Sequence, residues 1–451
     1  MRKMNKVAKR AWAVCILAAM LVGGMGFFVV EFTVRADKWV VTAGSPHVYN
    51  GDNINTGAVT DRNGILLLNM HDTRTYSGAE SIRKSTLHWV GDRERNISAP
   101  AISKYASHIA GFDMANGLYA YGGSGGVAKL TISAQVQTVA LEALGNYKGT
   151  VAVYNYKTGE ILCAVTNPTY DPDNVPEIEG NPAYEGAYLN RFTQCTYAPG
   201  SIFKIVTLAA VLEELPALQE KTFTCTGTRA YGPDTITCES VHGTQSLKQA
   251  FCNSCNCAFA ELSELLGGQT LKKYADAFGL TEHQSFDGIQ CEKGSFQVAA
   301  DAVNVAWSAI GQYNDLVNPC SFLTFVGAVA NGGKAAKPYI VARAGDSYQA
   351  KTAYTEQMMD KEVAALVAEY MRNNVATKYG DSNFNGLNVC AKTGTAEFDG
   401  DQASNAMFAG FVADEEYPLA FMVCVEGGGY GMYTCVPIAS KVLAACTEIL
   451  Q

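Results

Sequence analysis

The chain opens on an uninterrupted apolar run. Ala11 to Val30 contains no charged residue, and a helix rising about 1.5 Å per residue over that length spans roughly 30 Å, one hydrocarbon core. Arg2, Lys3, Lys6, Lys9 and Arg10 precede the run with no acidic residue among them. That asymmetry predicts a single-pass plasma-membrane helix over 11–30, a cytoplasmic tail over 1–10 and an extracytoplasmic remainder. Val34-Arg35-Ala36 would serve as a cleavage site, but the run is longer than the core of roughly 7–15 residues usual in a cleaved signal peptide. After the span the pattern shortens. Residues 31–128 mix brief alternating runs with turns, such as "DRNG" (Asp61 to Gly64) before "ILLL", and read as a small strand-rich pedestal. "YGGSGG" (Tyr121 to Gly126) marks a junction. A strand-like "VAKLTI" follows it where a phosphate-binding loop needs a helix, so it reads as a linker.

Residues 129–451 read as one large α/β unit. "AQVQTVALEAL" (Ala134 to Leu144) has helical periodicity, and "GTVAVYNYKTGEILCAVT" is a hairpin with Gly159 at its tip. "SIFKIVTLAAVLEEL" is a helix with an apolar face, and "SLKQAFCNSCNCAFAELSELLG" is two helical stretches broken near Asn253. "FLTFVGAVANGG" ends at a glycine stop. The strands "NAMFAGFVA" and "LAFMVCVEGGG" precede a last helix from about Pro437 to Leu450.

Composition narrows the function classes. With 34 basic against 43 acidic residues and a net charge of −9, there is no basic excess to suit a nucleic-acid partner. Of 14 cysteines, Cys15 falls in the membrane span, leaving an odd number outside. At least one thiol there is unpaired or intermolecular. Cys225 and Cys238 flank the turn-rich "TGTRAYGPDTIT" and form the candidate disulfide. "CNSCNC" (Cys252, Cys255, Cys257) looks like a metal knuckle, but no second Cys or His pair follows at zinc-site spacing. Neither a metal nor a cofactor is expected.

Two short signals each occur twice. Lys-Thr-Gly appears at Lys157-Thr158-Gly159 and at Lys392-Thr393-Gly394. The first copy sits in the hairpin turn, where Gly supplies a positive φ and its neighbours are solvated. Ser-x-x-Lys appears at Ser81 to Lys84 and at Ser201 to Lys204, and a chain of this length produces about one such pair by chance. "ESIRKST" is polar all round and reads as solvated surface. Ser201, in contrast, follows the break Pro199-Gly200 and opens an apolar helix, so unpaired backbone N–H groups surround it. Those groups suit an oxyanion. Lys204 lies on the same helical face, and Phe203, Ile205, Val206 and Leu208 around it should depress its pKa by desolvation. A neutral amine there could take the hydroxyl proton.

Ser254-Cys255-Asn256 and Lys392-Thr393-Gly394-Thr395 follow in order. Together with "NRFTQCTYAPGSIFK", "LTISAQVQ", "KTGEILCAVTNPTYDP", "HGTQSLKQAFCNSCN", "AIGQ" and "KTGTAEF", they resemble the penicillin-binding transpeptidase family. Near the N-terminus, "GAVTDRNGILL" is similar to the start of the monofunctional, membrane-anchored class B members. The resemblance implies a β-lactamase/transpeptidase-like α/β (α+β) domain, with a central antiparallel sheet flanked by helices. It implies a peptidoglycan D,D-transpeptidase that cross-links stem peptides through a serine acyl-enzyme and is inhibited by β-lactams.

The roles it implies are specific. Ser201 is the nucleophile and Lys204 its base. Ser254 relays a proton between Lys204, Lys392 and the leaving nitrogen, and Asn256 donates to a substrate carbonyl. Lys392, Thr393 and Thr395 bind the terminal carboxylate, and Gly394 lets the substrate lie along the strand. The N–H groups of Ser201 and Thr395 form the oxyanion hole. A polytopic membrane glycosyltransferase of the elongation or division machinery is the implied partner, and Ala19 with Gly23 offers a small-xxx-small face for it. Related readings are a D,D-carboxypeptidase, a β-lactam sensor or a scaffold. A β-lactamase would need a second base, and nothing singles out Glu177, Glu179 or Glu185. The segment before Tyr121 is too short for a glycosyltransferase domain of its own.

Overall fold

The structure, a computed structural model, describes residues 2–40, 49–50, 53–54, 56–71, 74–110, 125–397 and 403–450. Most of the expected junction at 121–126 lies outside them.

The apolar run forms part of one helix, Arg2–Val40. Within it Met4–Arg35 is long and apolar enough to cross a membrane, and Leu17, Leu21, Phe27 and Phe28 are exposed on it. The helix therefore continues past the expected end of the span at Val30. The C-terminal helix Gly431–Leu450 is similarly apolar, but Val442, Leu443 and Cys446 are buried in the protein. It starts before Pro437, because burial of Cys435 and Val436 outweighs the single N–H that the proline lacks.

The centre is a five-stranded antiparallel sheet in the order Val389–Ala396, Asn405–Val412, Leu419–Val425, Gly149–Asn155, Ile161–Asn167. Side chains alternate between its faces. Ala152, Tyr154, Met407, Ala409, Met422 and Cys424 join the core that contains Lys204–Glu214 and Pro319–Ala330. Val151, Val153, Phe408, Phe421 and Val423 pack with Ala134–Leu144 and Gly431–Leu450. With helices on both faces, the three inner strands are apolar on both sides. The central antiparallel sheet flanked by helices is thus present, and Gly159 has φ +89° at the tip of its hairpin.

A second, six-stranded sheet crosses the expected boundary at 128/129. Val127–Leu130 pairs in parallel with Ala58–Thr60 on one side and antiparallel with Val341–Ala344 on the other. The N-terminal segment and the large unit therefore share backbone hydrogen bonds. Helix Glu80–Val90 adds a polar tie between them: Arg83 grips Asp171 through two 2.7 Å contacts, and both side chains are largely shielded. Ser81 is exposed, but this stretch is not the freely solvated surface its polarity suggests, because Ser85–Val90 is buried.

The Arg83 guanidinium holds the Asp171 carboxyl well below the ordinary carboxylate range. A group whose folded value is depressed stabilises at pH above its unfolded value and loses that contribution as pH falls. We expect Arg83→Ala to cost about 2 kcal/mol near pH 7, between the values for exposed and buried pairs. Thermal melting of the full chain should show this gap shrinking as pH falls below about 4.

Candidate active site

The chain before Ser201 is held on three sides. Arg191 Nε donates to Glu426 Oε1 at 2.7 Å, and Tyr197 Oη donates to the same oxygen at 3.0 Å. Tyr197 N–H bonds the Val317 carbonyl at 2.9 Å, and Gly200 N–H bonds that of Gly311 at 2.8 Å. Gly200 has φ +53°, and a Cβ there would overlap the Thr395 carbonyl. A short 3₁₀ turn, Gly200–Phe203, then runs directly into helix Lys204–Glu214. Ser201 accordingly sits in the opening turn, as expected, with its side chain half-buried.

Lys204 is fully buried. Its Nζ lies 3.1 Å from Ser201 Oγ, 3.0 Å from Ser254 Oγ, 2.6 Å from the Ser254 carbonyl and 2.6 Å from Asn256 Oδ1. The two shortest partners can only accept. A neutral amine has two N–H donors and one lone pair; donating to those two acceptors leaves the lone pair for a hydroxyl proton.

Ser254 lies in the break between helices Leu247–Cys252 and Asn256–Leu266. Its φ of +52° is the left-handed region that non-glycine residues seldom occupy. That conformation places Oγ between Lys204 and Lys392, 3.0 Å from each Nζ. Asn256 Nδ2 donates to the Thr237 carbonyl at 2.7 Å, leaving its second N–H for another acceptor.

Lys392 belongs to the sheet's edge strand, is fully buried, and also donates to the Thr393 carbonyl at 3.0 Å. Gly394 has a reason beyond substrate access: a Cβ there would stand 2.9 Å from the Pro199 carbonyl and 3.2 Å from Ile202 N. The absent side chain lets the Ser201 turn lie against the strand. Thr393 N–H points out of the sheet to Tyr379 Oη at 3.1 Å. Thr395, two residues along, presents its N–H on the same open edge. Gln312 Nε2 approaches the Thr395 carbonyl at 3.4 Å.

All five polar residues expected to carry chemistry, Ser201, Lys204, Ser254, Asn256 and Lys392, thus form one contiguous cluster, with Thr393, Gly394 and Thr395 along its edge. No motif marks Tyr379, which closes a turn of π-helix, Val375–Tyr379, and bonds Thr393 Oγ1 at 3.0 Å. Arg191 and Tyr197 in "NRFTQCTYAPG" and Gln312 in "AIGQ" take their roles only from the fold. Cys225 and Cys238, the expected disulfide pair, do meet, but as free thiols with sulfurs 3.7 Å apart.

Burial removes water from both lysines and disfavours their charged forms. Lys204 is lowered to about 8, chiefly by desolvation. Lys392 is pushed well below the lysine range by desolvation and then by the neighbouring Lys204 charge. Tyr379, desolvated, is raised to about 12 and stays a neutral phenol.

This fold and this serine–lysine–serine–lysine arrangement define a class, the serine acyl-transfer enzymes built on an antiparallel sheet edge. The family model "Penicillin binding protein transpeptidase domain" matches residues 149–444. The chain belongs to the penicillin-binding protein transpeptidase family. It is 30% identical to the peptidoglycan D,D-transpeptidase PbpA of Mycolicibacterium smegmatis over 71% of this chain and 72% of that one. It is also 30% identical to stage V sporulation protein D of Bacillus subtilis, over 70% of this chain and 52% of that one. A solved structure of penicillin-binding protein A from M. tuberculosis, a ceftriaxone acyl-enzyme complex, shares its fold with TM-score 0.76 at 24% identity, covering 86% of this chain and 98% of that chain.

Two outcomes follow for acylation of Ser201 by a β-lactam probe. The second-order rate should rise with pH through about 8, as Lys204 loses its proton; with roughly one amine in ten neutral at pH 7, pH 9 should be about tenfold faster. Tyr379→Phe should slow acylation about tenfold by releasing Thr393, without moving that inflection. Stopped-flow fluorescence across pH reads both.

Proposed function

We propose that the protein is a membrane-held serine D,D-transpeptidase of peptidoglycan. Ser201 Oγ attacks the carbonyl between the last two D-alanines of a stem peptide while Lys204 takes its proton. Backbone N–H groups of Ser201 and Thr395 stabilise the oxyanion. As the C–N bond breaks, the proton passes from Lys204 through Ser254 to the leaving nitrogen, and D-alanine departs. An acceptor amine then attacks the ester, returns the proton to Ser201 by the same route and forms the cross-link. Lys392, with Thr393 and Thr395, holds the terminal carboxylate, and Asn256 positions the donor amide.

The observation that carries this reading is Lys204 Nζ, buried, 3.1 Å from Ser201 Oγ, with its strongest acceptors elsewhere. The named relatives support the substrate class. An arriving carboxylate beside Lys392 would raise that amine's proton affinity and leave Lys204 the neutral member of the pair.

We further propose that the N-terminal helix spans the plasma membrane with its basic end in the cytoplasm, and that Ala19 and Gly23 meet a polytopic glycosyltransferase. Replacing residues 11–30 with an unrelated span should abolish co-purification with that partner; unchanged association would remove the idea.

A labelled penicillin should add once per chain, Ser201→Ala should abolish labelling, and Ser81→Ala should leave it intact. Lys204→Ala should slow acylation about a thousandfold. With a stem-peptide donor and an amine acceptor, mass spectrometry should find a cross-linked product. Acylation followed only by hydrolysis would make the enzyme a carboxypeptidase, and acylation without turnover a sensor.

A further inference from the structure

Beside the catalytic cluster lies a second one that the mechanism does not use. Cys225 ends the strand Thr222–Cys225, Cys238 follows Asp234–Thr237, and His242 precedes Gly243–Ser246. Cys255 caps helix Asn256–Leu266. One ligand atom from each lies within 4.8 Å of all the others. Cys225 and Cys238 sulfurs are 3.7 Å apart, and Cys238 and Cys255 sulfurs 3.8 Å. Tetrahedral zinc with bonds of about 2.3 Å to sulfur has sulfur–sulfur edges of roughly 3.8 Å. These thiols are therefore already spaced as ligands of one ion.

Two further features point to a ligand rather than to packed thiols. Each sulfur accepts a backbone N–H at 3.4 Å: Gly227 to Cys225, Cys257 to Cys238 and Ala258 to Cys255. Such donors favour thiolates and orient them, the outer-shell support a metal site needs. His242 Nδ1 is buried and without a hydrogen-bond partner, although a buried ring nitrogen ordinarily has one. Cys257 Sγ also lies 3.5 Å from Cys238, but it falls outside the set of four within mutual reach.

We propose that Cys225, Cys238, His242 and Cys255 bind one zinc ion in a closed, structural Cys₃His site. Three thiols and an imidazole are soft-to-borderline donors that select zinc over calcium or magnesium. Binding releases three thiol protons and leaves the metal with no open position, so the ion has no part in acyl transfer. Its role is positioning. Cys255 is flanked by Ser254 and Asn256, and Cys238 follows Thr237, whose carbonyl holds Asn256. One ion thus ties the 222–246 hairpins to the turn that aims Ser254 at both lysines. The spacing rule that discounts a metal for "CNSCNC" considers pairs close in sequence, whereas here folding brings in three ligands from upstream strands and loops.

Full-length protein, extracted with reductant and without chelator, tests this by elemental mass spectrometry. About one zinc per chain is expected, retained in Cys252→Ser, whose thiol lies outside the cluster, and lost in Cys238→Ser and His242→Ala. Cobalt(II) alone, added to stripped protein, should give thiolate-to-metal charge-transfer bands and tetrahedral ligand-field bands. Stripping should slow penicillin acylation about tenfold, with recovery on adding zinc. A metal-free protein, full zinc in Cys238→Ser, or a Cys225–Cys238 disulfide in freshly alkylated protein would overturn the proposal. Penicillin labelling of Ser201 stands or falls separately, since metal content is read without it.

Discussion

At the heart of the site is an amine held out of water with no carboxylate among its described hydrogen-bond partners. Lys204 is wholly buried, and its polar partners are two hydroxyls, a carbonyl and a side-chain amide. Desolvating an ammonium among neutral dipoles is unfavourable, and the amine responds by releasing its proton more readily. A carboxylate in the same place would have held the proton and disabled the base. The packing that buries Lys204, with the Phe259 ring centroid 5.6 Å from its Nζ, is therefore also what makes it reactive.

The rest of the architecture delivers groups to that amine. The edge strand brings Lys392, the helix break brings Ser254, and the 3₁₀ turn brings Ser201. These three segments are far apart in sequence, and the strand and the 3₁₀ turn meet because two glycines permit close backbone contact, Gly394 against the Pro199 carbonyl and Gly200 against Thr395. Ser254 occupies a backbone conformation that costs a non-glycine residue of order 1 kcal/mol or more. Its return is a single hydroxyl equidistant from two lysines, placed to pass a proton between them.

Much of this was legible in the chain. Pro199-Gly200 ahead and an apolar helix behind set Ser201 apart from Ser81, the ordered motifs downstream decided its role over that of a helix cap, and hairpin context separated Lys157-Thr158-Gly159 from Lys392-Thr393-Gly394. What stayed hidden depended on contacts between distant segments. Tyr379 reaches Thr393 from a turn of π-helix with no sequence signature. Glu426 anchors Arg191 and Tyr197 from beyond the last strand. Val127–Leu130 joins two apparent domains because strand pairing ignores composition boundaries. The cysteines misled for the same reason, since spacing along the chain says little about which sulfurs share a volume.

Lys204 is an uncharged base within reach of physiological pH. Nuclear magnetic resonance of protein carrying ¹³Cε-labelled lysine, assigned with Lys204→Arg, measures its titration directly. Lys204 should show an inflection near pH 8, clearly separated from the surface lysines at about 10.4. A Lys204 signal that titrates together with the surface lysines would contradict this.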